Sequence, residues 1–131
     1  MPFNMAANEV LANRANEILT GYKGSDQVHP NTHVNMCQSS NDVVPTAIRV
    51  MAVVEARRSL LPALAHLRKA IDKRARALGK SIKTGRTHLM DAMPLSFAQE
   101  FGAWSAQLSS AQARIEDTLK RVRRLPIGGT A

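Results

Sequence analysis

Apolar residues recur at helical intervals in three stretches of the chain, separated by two stretches where polar and turn-forming residues show no period. Val10, Leu11, Ala15, Ile18 and Leu19 predict a first helix from Asn8 to about Thr20, with Gly21 and Gly24 as stop signals. A second series, Val43, Ala47, Val50 and Val54 flanked by Ile48 and Met51, follows the small polar run Ser39, Ser40 and Asn41, which suits a helix N-cap. Pro45 is compatible with a first turn, whereas Pro62 falls inside the pattern and predicts a kink or break near Leu61. The stripe then resumes through Leu64, Leu67, Ile71 and Leu78 to a stop at Gly79. Pro94 is read as opening a third helix, whose stripe runs Phe97, Phe101, Trp104, Leu108, Ala111, Ile115 and Val122 at heptad-like intervals. Such a helix, about 29 residues long, would extend roughly 43 Å.

Between the helices, residues 21–38 collect Gly, Ser, Asp, Pro, Asn and His, and Lys80 to Pro94 reads as a short connection followed by a polar loop. Long helices of this kind belong to bundles, and three of them do not close a core, so the stripes call for further helices or further subunits. The last residues, Pro126 to Ala131, form a loop-like run with no element after it, and the expectation is oligomerisation or truncation from a larger chain.

Composition narrows the class. Of 131 residues 44% are hydrophobic and 4% aromatic, which favours a helical protein with a core over disorder or an all-β fold. The net charge of +8 is concentrated. Residues 57–86 carry Arg57, Arg58, Arg68, Lys69, Lys73, Arg74, Arg76, Lys80, Lys83 and Arg86 against the single acid Asp72. Lys69, Lys73 and Arg76 share one helical face opposite the apolar stripe, as on a solvated face. The alternative, a basic helical module binding nucleic acid or a partner helix, lacks the stacking aromatics such modules use. A purely structural bundle is a third reading. Cys37 is the lone cysteine, which excludes an internal disulfide and fits a reducing compartment. No apolar run approaches the roughly 20 residues of a membrane span, and the first residues lack the pattern of a secretory signal.

The two polar stretches hold the candidate chemistry. Ser39, Ser40 and Asn41 at a helix N-terminus offer hydroxyl and amide donors beside free backbone N–H groups, which suits a carboxylate, although an N-cap alone is the reading that their spacing favours. His88 follows Thr87 in the second loop, and imidazole is the side chain best matched to proton transfer near neutral pH. His33, His66 and Cys37 read as surface or packing residues.

These strings together resemble the class II fumarases of the fumarase/aspartase superfamily. The resemblance rests on Asn8-Glu9-Val10-Leu11-Ala12-Asn13-Arg14-Ala15, the His29-Pro30-Asn31 loop, Gln38-Ser39-Ser40-Asn41-Asp42 with Pro45-Thr46-Ala47, Gly85-Arg86-Thr87-His88, Gln99-Glu100-Phe101 and Ile127-Gly128-Gly129-Thr130-Ala131, all in family order. It covers nearly the whole chain. Ser40 stands where aspartases typically have Thr, and His88 where they have Gln; argininosuccinate lyases carry a Ser-Arg-Asn-type loop in place of Ser39-Ser40-Asn41.

The resemblance implies an all-α, long-helix bundle, incomplete in this chain, with residues 1–38 ending a small N-terminal domain and 39–131 beginning the helical bundle. It implies reversible trans-addition of water to fumarate to give L-malate, with no metal and no organic cofactor, or, in another lyase of the superfamily such as aspartase, a related elimination. Ser39, Ser40 and Asn41 would bind a substrate carboxylate, Thr87 would orient the dianion, and His88 would take a proton from the attacking water. His29, Asn31 and Thr32 match a second dicarboxylate site, with Thr32 where the family commonly has Asp. Implied partners are a small dicarboxylate and a homotetramer, without nucleic acid or membrane, in the cytoplasm or, in a eukaryote, the mitochondrial matrix. The family's Gly-Ser-Ser loop with Lys and Asn, which carries its catalytic base, is not in these residues, nor is its upstream Gly-Thr segment, and Ala6 replaces a usual Asn. Active sites there are built from three subunits, so this chain alone is expected to be inactive.

Overall fold

The computed structural model describes residues 2–130, which form two compact units, 2–51 with 123–130 and 52–122. In chain order the elements are α1 (Pro2–Thr20), a π-helical turn (Pro30–Val34), α2 (Ser40–Glu55), a second π-helical turn (Ala56–Leu60), α3 (Leu61–Leu78), β1 (Ile82–Thr87), β2 (Met90–Ser96) and α4 (Phe97–Val122). Among the described residues, no helix is long and apolar enough to cross a membrane.

In the first unit the buried face of α1 is polar. Asn4, Asn8, Ala12 and Asn16, four residues apart, are all less than 9% exposed. The apolar series expected to face a core is outside it: Val10, Leu11, Ile18 and Leu19 are between 57% and 68% exposed. The asparagines are inside because the segment packed on them is irregular, and its polar groups need partners. Asn16 donates to the Val28 carbonyl (3.0 Å) and accepts from the Val28 N–H (2.8 Å). Asn4 and Asn8 both donate to Asn35 Oδ1, at 3.3 and 3.0 Å. The helix also starts six residues earlier than the apolar spacing predicts.

The end of the chain returns to this unit along α2. Arg49 donates to the Arg124 carbonyl (2.5 Å), and two helical turns nearer the start of α2 the Gly128 N–H donates to Asp42 Oδ2 (3.0 Å). Pro45, read as part of a first turn, is the sixth residue of α2; it removes one backbone donor without ending the helix.

In the second unit Pro62 does not break the helix. It sits in the first turn of α3, and the turn before it widens to π geometry, with Leu60 and Leu61 both in right-handed helical conformation. A proline ring collides with the carbonyl four residues back and offers it no N–H; a π-turn relieves that crowding while the chain continues helically. Gly79, at φ +54°, ends α3 as the sequence predicts.

α3 packs along α4. Leu64, Arg68, Ile71, Ala75 and Leu78 form the half-buried face of α3, and Arg68 donates to Ser109 Oγ at 3.1 Å. Lys69, Lys73 and Arg76 are exposed, as the charge pattern predicts. On α4, Phe97, Phe101 and Trp104 form an aromatic run with centroids 6.3 and 5.1 Å apart, but Trp104 is 46% exposed and Leu119, outside the predicted stripe, is the most buried residue.

Residues 82–96, read from sequence as a connection and a loop, form an antiparallel hairpin. Ile82 pairs with Ser96, Arg86 with Asp91 and Thr87 with Met90, with a bulge between Thr84 and Arg86. Gly85 is required there, since a Cβ would lie 2.5 Å from the Met93 carbonyl oxygen. Pro94 therefore lies in β2, and α4 opens three residues later. Its cap is Ser96, whose Oγ accepts from the Gln99 N–H while Gln99 Oε1 accepts from the Ser96 N–H, at 3.1 and 2.8 Å.

Candidate functional site

The first unit carries two groups of candidate residues. His29 caps the π-turn: its Nδ1 accepts from the N–H groups of Asn31 (3.2 Å) and Thr32 (3.3 Å), which brings the three residues of the expected second dicarboxylate site onto one turn. With Nδ1 an acceptor, the ring proton is on Nε2, which faces away from the cap as a donor. The His29 N–H in turn donates to His33 Nδ1 (2.9 Å), so His33 supports the turn, in keeping with the structural role read for it. All four side chains are exposed.

Ser39, Ser40 and Asn41 form the N-terminal turn of α2. Ser39 Oγ accepts from the Asn41 N–H (3.2 Å) and Asp42 Oδ1 accepts from the Ser39 N–H (3.2 Å), which is a capping box of the Ser-x-x-Asp kind. The Ser39 hydroxyl proton remains available to a ligand, and the turn is at the positive end of the helix dipole. Asp42 is the functional-looking residue not singled out from sequence: it is 2% exposed, the most deeply buried polar side chain described. The Ser-x-x-acid spacing was the signal that could have found it.

The second unit carries Thr87 and His88 at the tip of the hairpin. Two residues, His88 (φ +51°) and Leu89 (φ +62°), connect the strands, and both are left-handed. A two-residue turn demands this conformation, and Asn-Gly rather than His-Leu is the pair that adopts it without strain. Strained backbone of this kind is concentrated where a side chain must be held at a fixed place. Leu89 is fully exposed, so its side chain supplies no packing in return. Leu89→Gly is accordingly expected to stabilise the chain by about 1 kcal/mol, the relief of left-handed strain exceeding glycine's extra unfolded freedom. A rise in the urea midpoint checks this.

The base of the hairpin is fixed more firmly than its tip. Lys83 Nζ donates to both oxygens of Glu100 (3.0 and 2.9 Å) and lies 5.6 Å from the centre of the Phe97 ring, tying β1 to the first turn of α4. Nearer the tip, Arg86 Nε donates to Asp91 Oδ1 (3.3 Å) across the strands, but both side chains are largely in solvent and the pair adds little.

Two open cavities occupy these regions. One of about 270 Å³ in the first unit is lined by α1 and residues 23–30, including Asn13, Asn16, Lys23 and Asp26. One of about 480 Å³ in the second is lined by the bulged hairpin and Glu100. Neither is lined by Ser39, Ser40, Asn41, Thr87 or His88. The carboxylates held clearly below their ordinary range are elsewhere: Glu17, through its hydrogen bond from Arg14, and Asp117, through Arg121.

Comparison with known proteins decides the family. A family profile described as Lyase matches residues 1–131. This chain belongs to that lyase family. Over 128 residues the chain is 66% identical to the class II fumarate hydratase of Xylella fastidiosa (strain Temecula1), an alignment covering 98% of the chain and 26% of the relative. It is 52% identical over 129 residues to the class II fumarate hydratase of Neisseria meningitidis, covering 98% of the chain and 28% of that relative. The chain thus spans about a quarter of the length of the curated relatives it matches. Among solved structures, the class II fumarase of Schistosoma mansoni superposes with a TM-score of 0.90 at 42% identity, covering 98% of this chain and 27% of that one. The native form of the Brucella melitensis protein titled fumarate lyase:delta crystallin gives 0.85 at 44%, covering 96% and 29%. The resemblance to class II fumarases carried by the two loops therefore extends along the lyase, as does the all-α assignment, to which the hairpin is a local addition.

Proposed function

We propose that this lyase supplies one part of a class II fumarate hydratase active site, for reversible hydration of fumarate to L-malate. The observation that carries the reading is the 66% identity to a class II fumarate hydratase over 98% of the chain, loops included. In this reading Ser39, Ser40 and Asn41 hydrogen-bond a substrate carboxylate at the start of α2, Thr87 orients the dianion, and His88 takes a proton from the attacking water. Donors aimed at one carboxylate matter because, in the reverse reaction, loss of the carbon-bound proton from malate leaves the adjacent carboxylate with a second negative charge. His29, Asn31 and Thr32 form the second dicarboxylate site, where Thr32 offers a hydroxyl donor instead of the customary carboxylate.

The absence of these residues from either cavity supports the view that other parts of the enzyme complete the pocket and exclude water. The exposed apolar side chains of α1, with Ile48 and Met51 of α2, support assembly with further helices in a homotetramer. We assign residues 1–38 to the end of the small N-terminal domain and 39–131 to the start of the bundle. We place the enzyme in the tricarboxylic acid cycle, in the cytoplasm or, in a eukaryote, the mitochondrial matrix.

The test is a chimera in which this chain replaces the aligned quarter of the Xylella fastidiosa enzyme. It is expected to hydrate fumarate within about tenfold of the parent and not to deaminate aspartate, while the 131-residue chain alone forms no malate. A folded, assembled chimera without hydratase activity would overturn the reading.

A further inference from the structure

Asp42 is a buried carboxyl group that forms no ion pair among the described residues. Its hydrogen-bond partners are two backbone N–H groups, Ser39 (3.2 Å to Oδ1) and Gly128 (3.0 Å to Oδ2), the second 86 residues away in sequence. Burying an unneutralised carboxylate is unfavourable unless its oxygens are hydrogen-bonded, and two N–H groups aimed at separate oxygens do that. A helix cap alone needs only the first. The second fastens the returning segment 123–130, itself held by Arg49 to the Arg124 carbonyl, against the same turn that presents Ser39, Ser40 and Asn41.

We propose that Asp42 is a positioning residue of the carboxylate site: one buried carboxylate joins the N-terminal turn of α2 to the Gly128 segment and so fixes the direction of the Ser39, Ser40 and Asn41 donors. The proposal rests on the assignment of those three residues to substrate binding. Its physical content is rigidity. A turn held on one side by its own helix and on the other by a distant segment does not need to be ordered by the ligand, and binding loses less entropy. Asparagine in place of Asp42 keeps the shape but turns one acceptor into a donor facing an N–H, so one of the two links is lost.

The experiment titrates the chimera described above with succinate and follows hydrogen exchange at the amides of Ser39, Ser40, Asn41 and Gly128. For Asp42→Asn, the dissociation constant is expected to rise at least tenfold, with Ser39 and Gly128 amide exchange accelerated. Arg49→Met is the control: it loosens the same returning segment and lowers stability, yet leaves Ser39 bonded to Asp42 and is expected to change the constant less than twofold. Equal affinity for folded Asp42→Asn and the parent would overturn the positioning role while leaving the site in place. Failure of succinate to alter exchange at these amides in the parent chimera would overturn both. If Asp42→Asn does not fold, the parent decides: Gly128 exchange should slow together with Ser39 on adding succinate, and a Gly128 rate indifferent to saturating succinate overturns the proposal.

Discussion

His88→Asn in the chimeric enzyme is expected to lower kcat/KM for fumarate by between about 100- and 10,000-fold, the range over which a positioned general acid or base contributes. Asparagine is the informative replacement because it tolerates the left-handed backbone better than histidine does, and the tip of the hairpin stays closed. Loss of rate with unchanged stability then belongs to proton transfer and not to folding. The fall should appear in kcat more than in KM, since carboxylate binding is assigned to Ser39, Ser40, Asn41 and Thr87. A variant within tenfold of the parent would remove His88 from the chemistry.

The largest expected effect on stability falls on a position that hydropathy would recommend changing. Asn16→Leu places an apolar side chain on the buried face of α1, but it strips Val28 of partners for both its N–H and its C=O. Each backbone group left unpaired in a part-buried place costs about 1 to 3 kcal/mol. Leucine's own burial returns about 1.5 kcal/mol. The net expectation is a loss of about 0.5 to 4.5 kcal/mol, read from urea unfolding followed by circular dichroism, with rapid exchange of the Val28 amide. Ile18→Ala, on the exposed side of the same helix, is expected to change stability by less than about 0.5 kcal/mol. The reverse ranking would mean that the apolar face of α1 is covered and the asparagine face is not.

That contrast shows what could and could not be read from the residues. Periodicity located every long helix, because a 3.6-residue repeat survives whatever covers it. Which face of α1 is covered depends on the partner, and a partner rich in unpaired backbone groups selects Asn4, Asn8 and Asn16 over Val10 and Ile18. The hairpin was missed for a different reason. Its strands carry Lys83, Thr84, Arg86, Asp91 and Pro94, and the half-buried positions of β1 are Lys83 and Gly85, so no apolar alternation marks them, and His88-Leu89 is not a pair that signals a tight turn. Pro62 was recognised as an obstacle, but whether a helix breaks or widens at a proline is settled by the packing on either side of it. Among the candidate site residues, Ser39, Ser40 and Asn41 were legible as a cap from local spacing, whereas the capping role of His29 emerges only in the folded turn. For Asp42 the Ser-x-x-acid spacing was a signal for the bond to Ser39, but its second partner, Gly128, is a contact that only the folded chain creates.

The left-handed turn at His88 and Leu89 also bears on how this protein should be engineered. A procedure that ranks substitutions by folding free energy will score these two positions as defects and will favour Asn-Gly, the pair that closes a two-residue turn with least strain. The first of those replacements removes the imidazole that we propose takes the proton from water, so in that reading a thermostable variant chosen on that criterion is selected for losing activity. Position 89 is then the one to optimise, and position 88 the one to hold fixed at its cost.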